Sequence, residues 1–297
     1  MSWIFIALLS HVSWAFGNIG DKFIVTNKIK NPYIYNIWLF ITGIVAIVFI
    51  PFVDFHIPNL HQLLWVVLAA IMEYFSAFPY VKAIQMEDVT RINLWWVMIP
   101  LFCLIFGYLF IGESLTNQQF IAFALLLAGT ILASIKFQRN LLKFSKAFWL
   151  AVLSCFGWAI YAIIFRYLTH EMEFINIYLC THILGFIFGI IMLCFRKIRQ
   201  ANNIEMKNLT LKTGLIVFGV AQFGMIGTLL NAWALSLGKV ALVYSMEGFQ
   251  IIFVFFLTVI FAIFTKINLH EEMDIKNLIL KALATIINVC GIIMLYV

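Results

Sequence analysis

Ten long apolar runs separated by short connectors leave this chain few folds to choose from. A hydrocarbon layer of about 30 Å takes roughly 20 apolar residues of helix to cross. Candidate spans of that size lie near 3–21, 33–53, 63–83, 90–111, 119–136, 147–165, 175–195, 213–235, 240–264 and 276–296. Only 137–146 and 196–212 are sizeable hydrophilic connectors, so no water-facing domain is expected and catalysis in one is excluded. Charged residues make up 11% of the 297 positions, against about a quarter in soluble domains. So few charges cannot coat a surface in water, and the solvent of this chain is largely lipid. The first run lacks a basic leader and a small-residue cleavage site, so Trp3 to Ile19 is expected to stay as a span.

Two of the runs nearly repeat each other. Leu9-Ser10-His11-Val12-Ser13-Trp14-Ala15-Phe16 is echoed by Leu153-Ser154-Cys155-Phe156-Gly157-Trp158-Ala159-Ile160, with Lys22 matching Arg166 beyond them. The echo divides the chain into units at 1–140 and 141–297, each with five spans. A duplicated unit with an odd number of spans must enter the membrane in opposite senses. The expected fold is therefore an all-α membrane protein of ten transmembrane helices arranged as two inverted five-helix repeats, an architecture typical of secondary transporters.

The net charge of +6 does not point to nucleic acid, because the basic residues sit in connectors, where topology and lipid headgroups explain them. Connectors after odd-numbered spans hold Lys22, Lys28, Lys30, Lys82, Lys136, Arg139, Lys143, Lys146, Arg196, Lys197, Arg199, Lys207, Lys212 and Lys266. Those after even-numbered spans hold little beyond Arg166 and Lys239. The positive-inside rule then places the odd connectors in the cytoplasm and both termini outside. The five cysteines are scattered through apolar runs without CxxC spacing, so neither a disulfide framework nor a zinc site is indicated. No cofactor is expected.

Tyr80-Val81-Lys82-Ala83-Ile84, Ile99-Pro100-Leu101-Phe102, Gly112-Glu113-Ser114-Leu115-Thr116 and Ala128-Gly129 resemble, in order and spacing, the EamA-type transporters of the drug/metabolite transporter superfamily. A weaker copy follows, with Trp233-Ala234-Leu235-Ser236 for the Tyr80 region and Gly291 for the Gly129 region. The resemblance covers essentially the whole chain. It implies ten helices in two inverted units around a central cavity, and export or exchange of small metabolites without ATP hydrolysis. Two departures stand out. The second connector carries Asp54, His56 and His61 instead of the family's basic residues, and His270-Glu271-Glu272 replaces a second Gly-Glu-Arg-like loop. The family's usual cytoplasmic N-terminus thus opposes the orientation given by charge.

Ionisable groups within hydrocarbon cost at least about 2.5 kcal/mol at a helix centre, so they face a cavity or a partner. Glu73 and Glu247 are the expected substrate-ammonium or proton-binding groups. His11 and His182 lie at interior depths, His11 as a further candidate and His182 more simply as a satisfied core histidine in a helix that does not line the family's cavity. Arg91 either grips a substrate carboxylate or phosphate or snorkels to the interface beside Glu87 and Asp88. Trp14, Asn18, Asn93, Trp96, Trp158, Tyr161 and Tyr244 are expected to line the site, with Trp95, Gln222, Asn231 and Gln250 adding polar and aromatic surface. Under the repeat, Asn93 and Trp96 face Tyr244 and Glu247. Pro79 and Pro100 each remove a backbone bond and are candidate hinges for alternating access.

These residues suit a secondary transporter of small metabolites such as amino acids or amines, in a bacterial cytoplasmic membrane, with protons and membrane lipids as further partners and a homodimer as a possible assembly. A nucleotide-sugar or sugar-phosphate exchanger would require more basic residues in the cavity. A non-transporting scaffold or receptor, and a metal enzyme using His11, Glu73 and His182, are the readings from other classes.

Overall fold

Helix starts and stops follow local signals in the computed structural model, which describes residues 3–87, 92, 95–134, 145–207, 209–264 and 275–296. All regular elements among these residues are helical. The first half of the chain holds α1 (Trp3–Asn27), α2 (Pro32–Thr42), a 310 stretch (Gly43–Phe52), α3 (Leu60–Met86), α4 (Met98–Ile111) and α5 (Asn117–Ser134). The second holds α6 (Lys146–Leu168), α7 (Phe174–Cys194), α8 (Arg196–Lys207), α9 (Leu211–Leu237), α10 (Val240–Ser245), α11 (Glu247–Phe264) and α12 (Ile275–Tyr296).

Asn31 caps α2 by accepting from Tyr33 N at 3.0 Å, ahead of Pro32, whose missing N–H is harmless in a first turn. Asn59 and Gln62 form a reciprocal capping box at the start of α3. Gly112 ends α4 at φ 67°, a left-handed conformation costly for a residue with a Cβ. That turn directs Glu113 back toward the helices.

Among the described residues, six helices are long and apolar enough to cross a membrane, and four shorter apolar helices accompany them. Several sequence-derived boundaries need correction. The first span runs to Asn27 instead of 21, and the ninth is broken at Met246 into α10 and α11. Part of the connector 196–212 is helical, as α8. Pro100 lies in the first turn of α4 and interrupts no helix, while the chain turns at Trp96 and Val97 just before it. Pro79 does lie inside α3, which continues through it.

The halves are interleaved. Ser10 Oγ on α1 donates to Gly227 O on α9 at 2.8 Å, and Ser13 Oγ to Phe223 O at 2.7 Å. Residue numbers rise on one helix as they fall on the other, so α1 and α9 are antiparallel. Ser154 Oγ on α6 donates to Ser76 O on α3 at 2.7 Å, and Gly157 lies beside the Met72 carbonyl, so α3 and α6 are antiparallel too. Lys22 Nζ reaches Ile84 O at 2.9 Å and Glu87 O at 3.0 Å at the C-terminus of α3, so α1 and α3 run together. Arg166 repeats this on α9, donating to Leu235 O at 3.1 Å and Ser236 O at 2.9 Å. The two echo residues at each position therefore make matching bonds: Ser10 with Ser154, and Lys22 with Arg166.

Arg166 also pairs with Glu113, Nε to Oε1 at 2.9 Å, both side chains less than a fifth exposed. Glu113 Oε2 accepts from Val240 N at 2.9 Å, and Lys239 Nζ donates to Ser114 O at 2.6 Å. The α4–α5 loop of the first unit is thereby tied to the α9–α10 junction of the second. Between α5 and α12, Asn288 fills a slot left by Gly129 and Gly248.

Two outcomes follow for stability, each readable by thermal unfolding in detergent. A Cβ at Gly227 would collide with the Trp14 indole, whereas one at Gly219 on the same helix meets nothing within 4 Å. Gly227→Ala should cost about 1–3 kcal/mol, while Gly219→Ala stays neutral or slightly stabilising; equal effects would contradict the packing. Arg166→Met leaves the Glu113 carboxylate without its ion-pair partner and should cost on the order of 2 kcal/mol. Adding Glu113→Gln should recover part of that loss, and strictly additive effects would show that the two residues are not coupled.

Candidate functional site

A cavity of about 230 Å³ is lined by helices from both halves of the chain. Trp14, Asn18 and Asp21 reach it from one face of α1, at the three- and four-residue spacing that stacks side chains along a helix. Glu73, Tyr74, Ala77 and Tyr80 do the same from α3, Trp158 and Tyr161 from α6, and Asn231 from α9. Trp96 lines it just before α4, Tyr244 from α10, and Glu247 with Gln250 from the first turn of α11. Three carboxyl side chains therefore face the cavity, and no Lys or Arg appears among its described lining.

The break at Met246 gives Glu247 its position. Phe249 N bonds Met246 O at 3.0 Å as α11 begins, so Glu247 occupies the first helical position and is only 2% exposed. The partial positive charge at a helix N-terminus favours a negative group there. Glu73 has no such support. Its Oε2 is buried without a hydrogen-bond partner among the described residues, as is Oε1 of Glu247.

Other polar atoms share this condition. The Tyr161 hydroxyl, Trp96 Nε1, Asn18 Nδ2, Gln250 Nε2, Asn231 Oδ1 and both amide atoms of Asn36 are buried and unpartnered among the described residues, and all seven belong to cavity-lining side chains. Buried polar groups in native proteins nearly always have partners, and exceptions call for an explanation. Here they converge on one space, the cavity between the helices.

Behind the lining, some pairs are made. His11 Nδ1 and Gln250 Oε1 are 2.9 Å apart, with His11 fully buried and its ring edge-on to Trp14. The Tyr80 hydroxyl lies 3.1 Å from Asn18 Oδ1 and 3.0 Å from Asp21 Oδ2, and Tyr35 OH donates to the other Asp21 oxygen. Asn231 Nδ2 donates to Tyr244 OH at 3.2 Å. Tyr80, Trp96 and Trp158 form a continuous aromatic wall, with ring centroids 5.3, 5.4 and 6.0 Å apart.

The structure thus brings together Glu73, Glu247, Trp14, Asn18, Trp96, Trp158, Tyr161 and Tyr244, together with Asn231 and Gln250. His11 stands one layer back, touching the site through Gln250. Arg91 and Asn93 lie outside the described residues, and with Arg91 the question of a substrate-binding cation there. His182 needs correction: it lines the cavity from α7, with Nδ1 bonded to Tyr178 O at 2.9 Å. Gln222 is corrected the other way, since it bonds Phe218 O of its own helix and is not among the lining residues. Trp95 is buried but also lies outside the lining.

Asp21 was missed because the first span was expected to end there, which made it look interfacial. Asn36 and Tyr74 carried no signal beyond one polar or aromatic residue in an apolar run. Among the described residues, no cluster of three or more His, Cys, Asp or Glu is placed to hold a metal.

Residues 1–135 match the model of the EamA-like transporter family. No curated protein matches the chain significantly. Solved structures do match, and one of them, described only as the crystal structure of a protein, superposes with a TM-score of 0.61. The superposition covers 98% of this chain and 95% of that one at 14% identity, which shows a shared fold and nothing more. The first part of the chain, residues 1–135, is thus similar to EamA-like transporters.

Proposed function

We propose that the protein is a secondary transporter of small amphipathic amines or amino acids, moving them by alternating access between two inverted five-helix units. One observation carries this reading: the cavity presents Asp21, Glu73 and Glu247 with no Lys or Arg among its described lining. Such a lining attracts a cation and repels an anion. An exchanger of sugar phosphates or nucleotide sugars would need the opposite. The aromatic wall of Tyr80, Trp96 and Trp158 adds faces on which an ammonium group or a flat apolar body can rest.

The inverted repeat is supported by helix direction and by matching bonds. With α1 parallel to α3, and α3 antiparallel to α6, the two Trp-bearing helices run in opposite senses. The spacing that relates Ile84 to Leu235 also relates Tyr80 to Asn231 and Trp96 to Glu247. Turns interrupt the chain at Trp96–Val97 and at Met246, close to equivalent points of the two units. Discontinuous helices at a repeat interface are a recurring device of transporters. These breaks, with Pro79 inside α3, give the helices around the cavity places to bend. The basic residues on α8 accord with a cytoplasmic location for the connector after α7, and so with external termini.

Transport into proteoliposomes, with and without a pH gradient, tests the proposal across amines, amino acids and sugar phosphates. Glu73→Gln and Glu247→Gln should each lower amine transport about tenfold or more, the loss of one charge-assisted contact. Unchanged rates and pH dependence in both variants would refute the assignment of these carboxyl groups.

A further inference from the structure

We infer that α8 is a docking surface for anionic lipid headgroups in the leaflet it lies against. The helix begins one residue after α7 ends at Cys194, and α9 starts at Leu211, so both ends are tied to membrane-spanning helices. Twelve residues of helix extend about 18 Å, which keeps α8 close to the bilayer surface. Open apolar residues stand near either end, Phe195 just before it at 58% exposure and Leu211 at the start of α9 at 84%.

One face of α8 is fixed to the protein. Asn202 Oδ1 accepts from Trp38 Nε1 at 2.9 Å, and Glu205 Oε1 accepts from Asn31 N at 2.9 Å. Asn202 and Glu205 are three residues apart and share the half-covered stripe of Ile198, Ala201 and Met206. This contact turns the only acidic side chain of the helix inward. Arg196, Lys197, Arg199 and Lys207 are left exposed on the remaining surface, with no ion pair among the described residues. Ile204, 65% exposed, stands among them. Basic side chains with an outward apolar residue, held at headgroup level, match the chemistry of an anionic membrane interface. The orientation of the helix is set by Trp38 and Asn31, so these cations point away from the protein body as a consequence of the fold. The inference is independent of what the central cavity carries.

Binding of phosphatidylglycerol and phosphatidylcholine to the purified full-length protein in detergent, followed by native mass spectrometry, tests it. Each basic residue near an anionic surface strengthens attraction about fivefold. The variant Arg196→Gln/Lys197→Gln/Arg199→Gln/Lys207→Gln should therefore lose phosphatidylglycerol affinity by about tenfold or more, with phosphatidylcholine binding unchanged. Lys197→Arg/Lys207→Arg should keep it, and Gln200→Glu/Asn203→Asp, adding acid to the same face, should weaken it. Inorganic phosphate should not displace the lipid. Equal binding of the two lipids, full retention in the four-glutamine variant, or displacement by phosphate alone would overturn the proposal.

Discussion

The bonds from Ser10 to the Gly227 carbonyl and from Ser154 to the Ser76 carbonyl are the contacts on which the arrangement turns. Within hydrocarbon there is no apolar driving force between helices, so association rests on close packing and a few polar bonds. Each serine sets the register of an antiparallel seam between a helix of one unit and a helix of the other. Along the α1–α9 seam, Gly17 faces Gly224 and Trp14 lies over Gly227. Once α1 is fixed against α9, and α6 against α3, the side chains of Trp14, Asn18, Trp158 and Tyr161 have one common place to go. The cavity is what remains between the two seams.

That origin explains the division of labour among the polar residues. Groups within the seams are satisfied, as with Ser10, Ser13 and Ser154. At the ends of the helices, Lys22 and Arg166 occupy terminal carbonyls of α3 and α9. Partly unmatched groups collect in the cavity, where Glu73, Tyr161, Asn36, Trp96 and Glu247 all hold atoms without a partner among the described residues. Leaving a buried polar atom unpaired costs about 1–3 kcal/mol.

Much of this was legible in the chain because lipid simplifies the reading. Length and apolarity marked out the long helices, and the echo of Trp14 in Trp158 identified two helices that both reach the cavity. Glu73 and Glu247 stood out as carboxyl groups in apolar runs. Other features were hidden for identifiable reasons. Helix α1 continues two turns past the apolar stretch, so Asp21 looked like a boundary residue. The break before Glu247 has no proline or glycine among the seven residues ahead of it to announce it. Pro100, which looked like an interruption, falls where a helix tolerates proline best. Glu113 was readable as part of a family-like loop, but its pairing with Arg166 joins residues far apart in sequence and depends on how the two units interlock.

The central claim is that the cavity between the units selects cations. Trp14, Trp96 and Trp158 lie in its wall, so intrinsic tryptophan fluorescence reports directly on occupancy. The decisive measurement is an equilibrium titration of the purified protein with organic amines and with carboxylates of matching size and apolarity. The account predicts a saturable change with the amines that is lost when Glu73 and Glu247 are both replaced by Gln, and none with the carboxylates. Saturable binding of the carboxylates, with the amines silent, would contradict it.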